Sequence, residues 1–122
     1  MSDPHVRAAI PMVRVQTIDA ALPLYTALGF VIGWEHRLAP DAPRLVSLQH
    51  GEVALYLTEH PVPSFGAVVY LVTHGLDALV ARAMAAGIRP TFGPEDRPWG
   101  NREAYFRDAD GNVLRFGEPI AR

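Results

Sequence analysis

The chain has 122 residues, of which 49% are hydrophobic and 20% charged, and its formal net charge is −2. A chain of this length buries about two-thirds of its unfolded surface in one compact unit, so we expect a single domain over residues 1–122. The absence of cysteine excludes a disulfide scaffold, a thiolate nucleophile and thiolate-ligated metals. All eleven basic residues are arginine, which excludes lysine Schiff-base chemistry and a phosphate-loop lysine.

Charge and hydropathy patterning exclude two further classes of partner. Arginines and carboxylates are interspersed, so there is no basic stripe for a nucleic-acid backbone. The polar N-terminal segment, residues 1–5, lacks the apolar core of a signal peptide. Apolar stretches such as residues 67–72 fall short of the roughly 18 residues that a membrane helix needs. We therefore expect a cytoplasmic protein that binds neither nucleic acid nor membrane.

The first half of the chain predicts one strand, one helix and three more strands. Thr17 can cap the helix, Asp19 lies in its first turn, and Gly29 ends it. Pro23 lies early enough in the helix to be tolerated near the first turn. Apolar and alternating segments predict the strands at residues 8–15, 30–37, 44–49 and 53–58.

The second half repeats this order of elements. A strand over residues 67–73 precedes a helix that begins near Gly75 and ends at Gly87. The segment 108–112, Asp-Ala-Asp-Gly-Asn, has the turn residues of a hairpin. The remaining strands are predicted at residues 88–92, 102–107 and 112–117, with a loop over residues 93–98.

The two halves are copies of one unit. Residues 10–30 align with residues 68–88 at an offset of 58, and the apolar strand, the helix start and the glycine stop coincide. An internal duplication determines the architecture. We therefore predict an α+β fold of two tandem βαβββ modules, about residues 8–60 and 66–118, that form a curved mixed sheet with a cleft.

Three segments, residues 9–30, 66–88 and 98–118, resemble a known family. They are similar to the vicinal-oxygen-chelate superfamily of glyoxalases and extradiol dioxygenases, and most of all to the bleomycin-resistance proteins. The hairpin 108–112 is typical of the whole superfamily, whereas Ala9-Ile10-Pro11 and Pro98-Trp99-Gly100 are closer to the resistance proteins. The resemblance implies a homodimer with a crevice at its interface that sequesters a drug without chemical change. Exchange of the first strands between subunits is left open.

The resemblance also identifies the positions at which metal-dependent relatives carry ligands. These positions fall on Ile10, Tyr56, Ala67 and Arg115, and none of them carries an imidazole or a carboxylate. The guanidinium of Arg115 is permanently charged and has no lone pair for a metal. The five histidines form no His-x-His or His-x-x-x-His pair. We therefore expect no metal and no cofactor.

Aromatic and basic side chains are the candidates for ligand binding, because planar rings stack on flat heteroaromatic compounds. The resemblance implies drug-pocket positions at Trp34, Tyr70 and Trp99. The full set of predicted ligand-binding residues is Trp34, Tyr56, Tyr70, Trp99, Arg115 and Met12. Trp34 and Tyr56 are equally compatible with the core of a sheet, and a methionine such as Met12 is more often a core residue than a ligand contact. The resemblance places Pro11 at the dimer interface. Arg14 lies in an apolar strand, where an unpaired buried charge is costly, so we expect it to pair with a carboxylate, to face a wet cleft or to lie at the dimer interface.

The leading interpretation is a dimeric, non-catalytic protein that binds a small, partly aromatic compound of the antibiotic type. Because the chain is close to neutral, a neutral or anionic planar ligand fits better than a polycation. One alternative is a superfamily enzyme with an atypical metal site or none, in which an acid or base would come from His60, His74, Glu59 or Glu103. Another is a domain that contacts only its own partner.

Overall fold

The computed structural model describes residues 4–120. The ends of the predicted domain, including the first three residues of the polar N-terminal segment, lie outside the described residues. The first module comprises β1 (Met12–Arg14), α1 (Ile18–Ala27), β2 (Val31–His36), β3 (Leu45–His50) and β4 (Val53–Thr58). The second comprises β5 (Val68–Val72), α2 (Leu76–Ala85), β6 (Phe92–Asp96), β7 (Asn101–Arg107) and β8 (Val113–Pro119).

Each module contributes one four-stranded mixed sheet. The strand order is β1-β4-β3-β2 in the N-terminal sheet and β5-β8-β7-β6 in the C-terminal sheet. In each, the first strand runs parallel to the last and the other neighbours are antiparallel. The predicted α+β fold of two βαβββ modules is thus confirmed, with the strands divided between two sheets that do not close into a barrel.

One hydrophobic core joins the two modules. Alternate residues of the strands point to it, because successive side chains of a strand lie on opposite faces. Its members come from both sheets and both helices and include Val13, Tyr25, Phe30, Leu48, Leu55, Leu76, Ala104, Phe106, Leu114 and Phe116. The opposite side of each sheet, turned away from this core, is called its open face below. The candidate ligand-binding residues fall on these open faces.

Side chains from distant strands fix the start of each helix. Thr17 caps α1 as predicted, with its Oγ1 accepting from the amide of Ala20. Glu59, after β4, accepts from the first helical amide, that of Ile18, at 2.8 Å. Glu118 does the same for α2 and accepts from the amides of Gly75 and Leu76, which lower its pKa. Both carboxylates favour the positive end of a helix dipole.

Two predicted strands have limits in the structure that differ from the prediction by more than two residues. The first is shorter, since only Met12–Arg14 is a strand within the predicted range 8–15. The sixth lies at Phe92–Asp96 rather than at residues 88–92, so most of the predicted loop 93–98 is strand. The reason is a bulge between Phe92 and Glu95. Gly93 makes it possible with a φ of +74°, at a point where a Cβ would lie 2.2 Å from the carbonyl oxygen of Glu103.

The hairpin between β7 and β8 connects both modules through a buried carboxylate. Asp108 accepts from the hydroxyl of Tyr25 on α1 at 2.8 Å and from the amide side chain of Asn112 at 2.8 Å. Asn112 also donates to the carbonyl of Arg14 in β1 at 2.8 Å. Burial and the neighbouring Asp108 raise the pKa of Tyr25 well above its usual range. This hydrogen-bonded group holds the first strand and α1 to the second module.

Replacing Tyr25 with phenylalanine is expected to lower the free energy of unfolding by about 2 kcal/mol, because Asp108 then loses a hydrogen bond inside the core. Urea unfolding followed by circular dichroism measures this change. Asp108→Asn and the double variant complete a mutant cycle. If the double variant lost as much free energy of unfolding as the two single variants together, the coupling of Tyr25 and Asp108 would be contradicted.

Neither helix in residues 4–120 has the length and hydropathy needed to cross a lipid bilayer.

Candidate functional site

The centre of the C-terminal open face is a buried carboxylate that accepts four hydrogen bonds. Oε2 of Glu103 on β7 accepts from the hydroxyl of Tyr70 at 2.7 Å and from the indole Nε1 of Trp99 at 2.9 Å. Oε1 accepts from the hydroxyl of Tyr105 at 2.8 Å and from Nη2 of Arg115 at 3.1 Å. The side chain of Glu103 is 1% exposed. Its hydrogen-bonding capacity is thereby taken up by protein groups.

These bonds decide the charge of the site. Burial by itself raises the pKa of Glu103, but the bonds from Trp99, Tyr70, Tyr105 and Arg115 outweigh burial and lower the pKa to about 2. The carboxylate is therefore ionised at neutral pH and is a poor proton acceptor. A general base needs a pKa near the working pH and a free lone pair. Glu103 accordingly positions its four donors and is not suited to proton transfer.

Aromatic rings and one guanidinium cover this carboxylate. The guanidinium carbon of Arg115 lies 4.5 Å from the ring centre of Tyr105 and 5.7 Å from that of Tyr70. Asn101 donates to the hydroxyl of Tyr70 at 2.9 Å and steadies the ring. Tyr70 is 42% exposed and Trp99 is 55% exposed. The site thus presents open aromatic surface whose orientation is fixed from below by hydrogen bonds.

Gly117 lets Tyr70 lie across strand β8. Glu103 pairs with Gly117, and Tyr70 pairs with Arg115, in the sheet register. A Cβ on Gly117 would lie 1.8 Å from the hydroxyl oxygen and 2.5 Å from Cζ of Tyr70. Only a glycine leaves room for the phenol to reach Glu103.

A second arginine borders the same face. The guanidinium carbon of Arg97 lies 4.8 Å from the ring centre of Trp99 and 5.0 Å from that of Phe92. Phe92 in turn stacks on Tyr105 with ring centres 4.7 Å apart. Arg97 is paired with Glu95 at 3.2 Å. The aromatic layer therefore extends from β5 across to β6.

The N-terminal open face carries a smaller aromatic cluster. Trp34 on β2 and Tyr56 on β4 meet edge to face with ring centres 5.0 Å apart. Met12 on β1 pairs with Tyr56 in the sheet and is exposed. Among residues 4–120, Arg14 forms no ion pair with a carboxylate: it donates to the carbonyl of Pro61 at 3.3 Å and stacks 4.1 Å from the ring centre of Phe65.

The structure separates the predicted ligand-binding residues into two groups. Tyr70, Trp99 and Arg115 come together around Glu103, whereas Met12, Trp34 and Tyr56 lie on the other sheet. Pro11 accepts from the amide of Tyr56 at 2.9 Å. It also lines a groove of about 470 Å³ between the sheets, formed by residues 8–11, 52–55 and 69–71.

Three residues of the site were not among the predicted ligand-binding residues. Asn101, Glu103 and Tyr105 occupy alternate positions of β7 and share its open face. Glu103 was considered only as an acid or base. The signal was present, because alternation along β7 places Glu103 on the same face as Asn101 and Tyr105, and a carboxylate that is buried there needs hydrogen-bond partners on that face.

The residues at the expected metal positions do not fit a metal ion. The register places Met12 opposite Tyr56 and Tyr70 opposite Arg115. Tyr56 and Arg115 are two of the four expected positions. The other two are Ile10, which precedes β1, and Ala67, which packs against the core. None of these side chains offers an imidazole or a carboxylate. Within residues 4–120, His, Asp and Glu form no group of three or more that could hold an ion.

The other acid or base candidates lie apart from the aromatic site. Glu59 accepts from two backbone amides, those of Ile18 and Arg44, and so has a structural role at α1. His60 follows it, and its amide donates to Thr58. His74 is exposed near Glu118 and lines a separate cavity of about 230 Å³ beside α2. None of these residues contacts the four donors of Glu103 through a hydrogen bond of the described residues.

Solved structures with this fold include antibiotic-binding and resistance proteins. The antibiotic binding protein TnmS3 from Streptomyces sp. CB03234 is 27% identical, with 98% of each chain covered and a TM-score of 0.73. The bleomycin resistance determinant encoded on transposon Tn5 is 25% identical, with 95% of this chain and 100% of that chain covered and a TM-score of 0.74. A glyoxalase/bleomycin resistance protein from Catenulispora acidiphila DSM 44928 is 27% identical, with 90% and 96% covered and a TM-score of 0.72.

A search of curated protein sequences finds no significant match. The sequence profile of the Glyoxalase/Bleomycin resistance protein/Dioxygenase superfamily matches residues 5–116, which is nearly the whole chain. The repeated module, the two mixed sheets and this match agree with one another. The chain therefore belongs to the Glyoxalase/Bleomycin resistance protein/Dioxygenase superfamily.

Proposed function

We propose that this protein binds a small, partly aromatic compound of the antibiotic type and releases it chemically unaltered. The observation that carries the proposal is the exposed aromatic surface of Tyr70 and Trp99, fixed on the buried carboxylate of Glu103. Rings held in place by hydrogen bonds bind a flat ligand with little loss of conformational entropy. The same carboxylate is too acidic and too fully bonded to act on a ligand.

Similarity to solved structures supports the class of ligand. One similar structure is a bleomycin resistance determinant and another is an antibiotic binding protein, and both cover almost the whole chain. Binding without chemistry needs no nucleophile, in agreement with a sequence that has neither cysteine nor lysine.

We also propose that the site is completed by a second copy of the chain. The open faces expose large apolar side chains that a soluble monomer normally covers, namely Met12, Trp34, Val68, Tyr70, Val72 and Trp99. In a homodimer, the N-terminal open face of one subunit would cover the C-terminal open face of its partner, with Pro11 and Arg14 at the interface. Light scattering is expected to give twice the chain mass of 13.4 kDa. A monomer at micromolar concentration would contradict this arrangement.

Tryptophan fluorescence offers a direct test of binding, because Trp34 and Trp99 both lie on open faces. Bleomycin and a panel of planar aromatic antibiotics are titrated into the protein, and each bound compound is then recovered and analysed by mass spectrometry. Saturable quenching with the compound recovered intact supports the proposal. Conversion of the compound to a product would favour the enzyme alternative instead.

Replacing Trp99 with alanine is expected to weaken binding about tenfold, since stacking on one aromatic ring contributes about 1–1.5 kcal/mol. Trp99→Phe is the matched control: it keeps a ring but loses the indole hydrogen bond to Glu103. We expect its affinity to lie between those of the wild type and the alanine variant, as measured by fluorescence of the remaining Trp34. Equal affinity of all three proteins would place the ligand elsewhere.

A further inference from the structure

The charged pair at the centre of the C-terminal open face is unequal in its exposure. The carboxylate of Glu103 is 1% exposed, whereas the side chain of Arg115 to which it is paired is 34% exposed. The acceptor positions of the carboxylate are taken by four protein donors. A compound that approaches this face therefore meets the cation and not the anion.

The strands of the other sheet add a positive charge to its open face and no negative one. Glu35 is the one acidic residue within strands β1–β4, and it pairs with Arg44, which also binds Asp19 of α1. These contacts lie on the helix side of the sheet. On the open side, Arg14 donates to the carbonyl of Pro61 and stacks on Phe65. The strands of the N-terminal sheet thus bring no carboxylate to the open face, and the acidic residue of this module that lines the groove shared with Tyr70 is Glu52, in the β3–β4 turn.

We propose that the ligand of this site is a planar aromatic anion whose ring stacks on Tyr70 and Trp99 and whose carboxylate or phenolate oxygen accepts from Arg115. This inference rests on the proposed function, because it names the charge of the compound that the same site binds. A guanidinium held between aromatic rings is partly shielded from water, which strengthens its attraction for an oxyanion.

The same arrangement disfavours a cationic ligand. A cation would lie next to the partly exposed side chain of Arg115 without access to the buried carboxylate beneath it. Like charges in a partly desolvated site repel. The protein as a whole carries a net charge of −2, so a preference for an anion would come from the site itself and not from the overall field.

Three probes with one ring system and different charges test the inference. Phenazine carboxylate, phenazine carboxamide and phenazine methylammonium are titrated into the intact protein at neutral pH, with quenching of tryptophan fluorescence as the signal. We expect the carboxylate to bind about tenfold more tightly than the amide, and the ammonium compound more weakly still. Raising the salt concentration should narrow the gap between carboxylate and amide.

Variants of two arginines assign the effect to one side chain. Arg115→Gln is expected to abolish the preference for the carboxylate, so that this variant binds the carboxylate and the amide with affinities within about twofold of each other. The readout is this ratio within one protein, because Arg115 also holds Glu103 and a change in overall affinity is expected. Arg102→Gln makes the same change in net charge on the other side of the sheet, where Arg102 is paired with Asp77 and Asp96. It should keep the full preference. If Arg115→Gln does not fold, the effect of salt on the wild type's preference for the carboxylate over the amide tests whether that preference is electrostatic.

The outcomes separate the two proposals. Equal affinity for all three probes, or tighter binding of the ammonium compound, would overturn the anion preference and leave the binding function intact. Loss of the preference in Arg102→Gln as well would also overturn it, because the effect would then come from net charge. If none of the three probes quenches the protein, both the inference and the proposed stacking site fail.

Discussion

Glu103→Gln is expected to lower the free energy of unfolding at neutral pH by about 2–3 kcal/mol, because buried donors lose the charged acceptor that they share. The amide has one acceptor oxygen and one donating nitrogen, so it cannot serve the indole of Trp99 and the guanidinium of Arg115 as well as the carboxylate does. Ligand affinity should fall together with stability, since the rings that form the site lose their common anchor.

The difference between the wild type and this variant should depend on pH. The pKa of Glu103 is lowered from 4.5 to about 2 in the folded protein, which means that folding favours the ionised form. Its contribution to stability is therefore fully present above about pH 4.5 and is lost as the pH falls towards 2. Glutamine does not titrate, so the gap between the two proteins should close over this range. Urea unfolding at several pH values, followed by circular dichroism, measures the gap.

Glu95→Gln is the matched control for this experiment. It makes the same change of charge on the neighbouring strand, but Glu95 is 58% exposed in its ion pair with Arg97. Exposed pairs of this kind contribute about 0–1 kcal/mol. The central role of this carboxylate would be contradicted if Glu103→Gln lowered the free energy of unfolding as little as Glu95→Gln does. It would also be contradicted if the difference between wild type and Glu103→Gln stayed constant from neutral pH to pH 2.

The architecture could be predicted because its signals are local. The cap at Thr17 and the glycine stops each act within a few residues, and the helices appear where they were predicted. The repeat at an offset of 58 carries the same local signals into the second module. The sixth strand was placed wrongly because Gly93 reads as a loop residue. In the structure, its φ of +74° instead bulges the strand against β7. That use of a glycine depends on the neighbouring strand and is not visible in the local sequence.

The site could be predicted only in part because it depends on register. Tyr70 and Trp99 were predicted from the family resemblance and Arg115 from the position of a metal ligand in relatives, and the structure brings the three together. Their common partner Glu103 is set by the pairing of β7 with β8, in which it lies opposite Gly117. Register between strands follows from turn geometry and from the two-residue period, so an error of one residue reverses every face. Alternation within β7 was the available clue.

Gly117→Ala is expected to weaken binding about thirtyfold, equivalent to about 2 kcal/mol, while the fold is largely retained. The added methyl group would lie 1.8 Å from the hydroxyl oxygen of Tyr70, so the phenol must leave its position over β8. Tyr70 is exposed and can swing outwards, which limits the loss in the free energy of unfolding to about 1 kcal/mol. It then no longer donates to Glu103 or accepts from Asn101.

A mutant cycle with Tyr70→Ala distinguishes displacement of the ring from a general distortion of strand β8. Without the phenol there is nothing for the new methyl group to displace, so Gly117→Ala should have little further effect on affinity in that background. Tryptophan fluorescence titration with the tightest-binding compound of the panel measures all four proteins, and urea unfolding confirms that each is folded. If the two losses of affinity simply add, Gly117 acts on the ligand or on the sheet independently of Tyr70. If Gly117→Ala weakens binding only in the protein that keeps Tyr70, the glycine serves the position of this ring alone. The distance of 1.8 Å leads to this result, because the clash exists only when the ring is present.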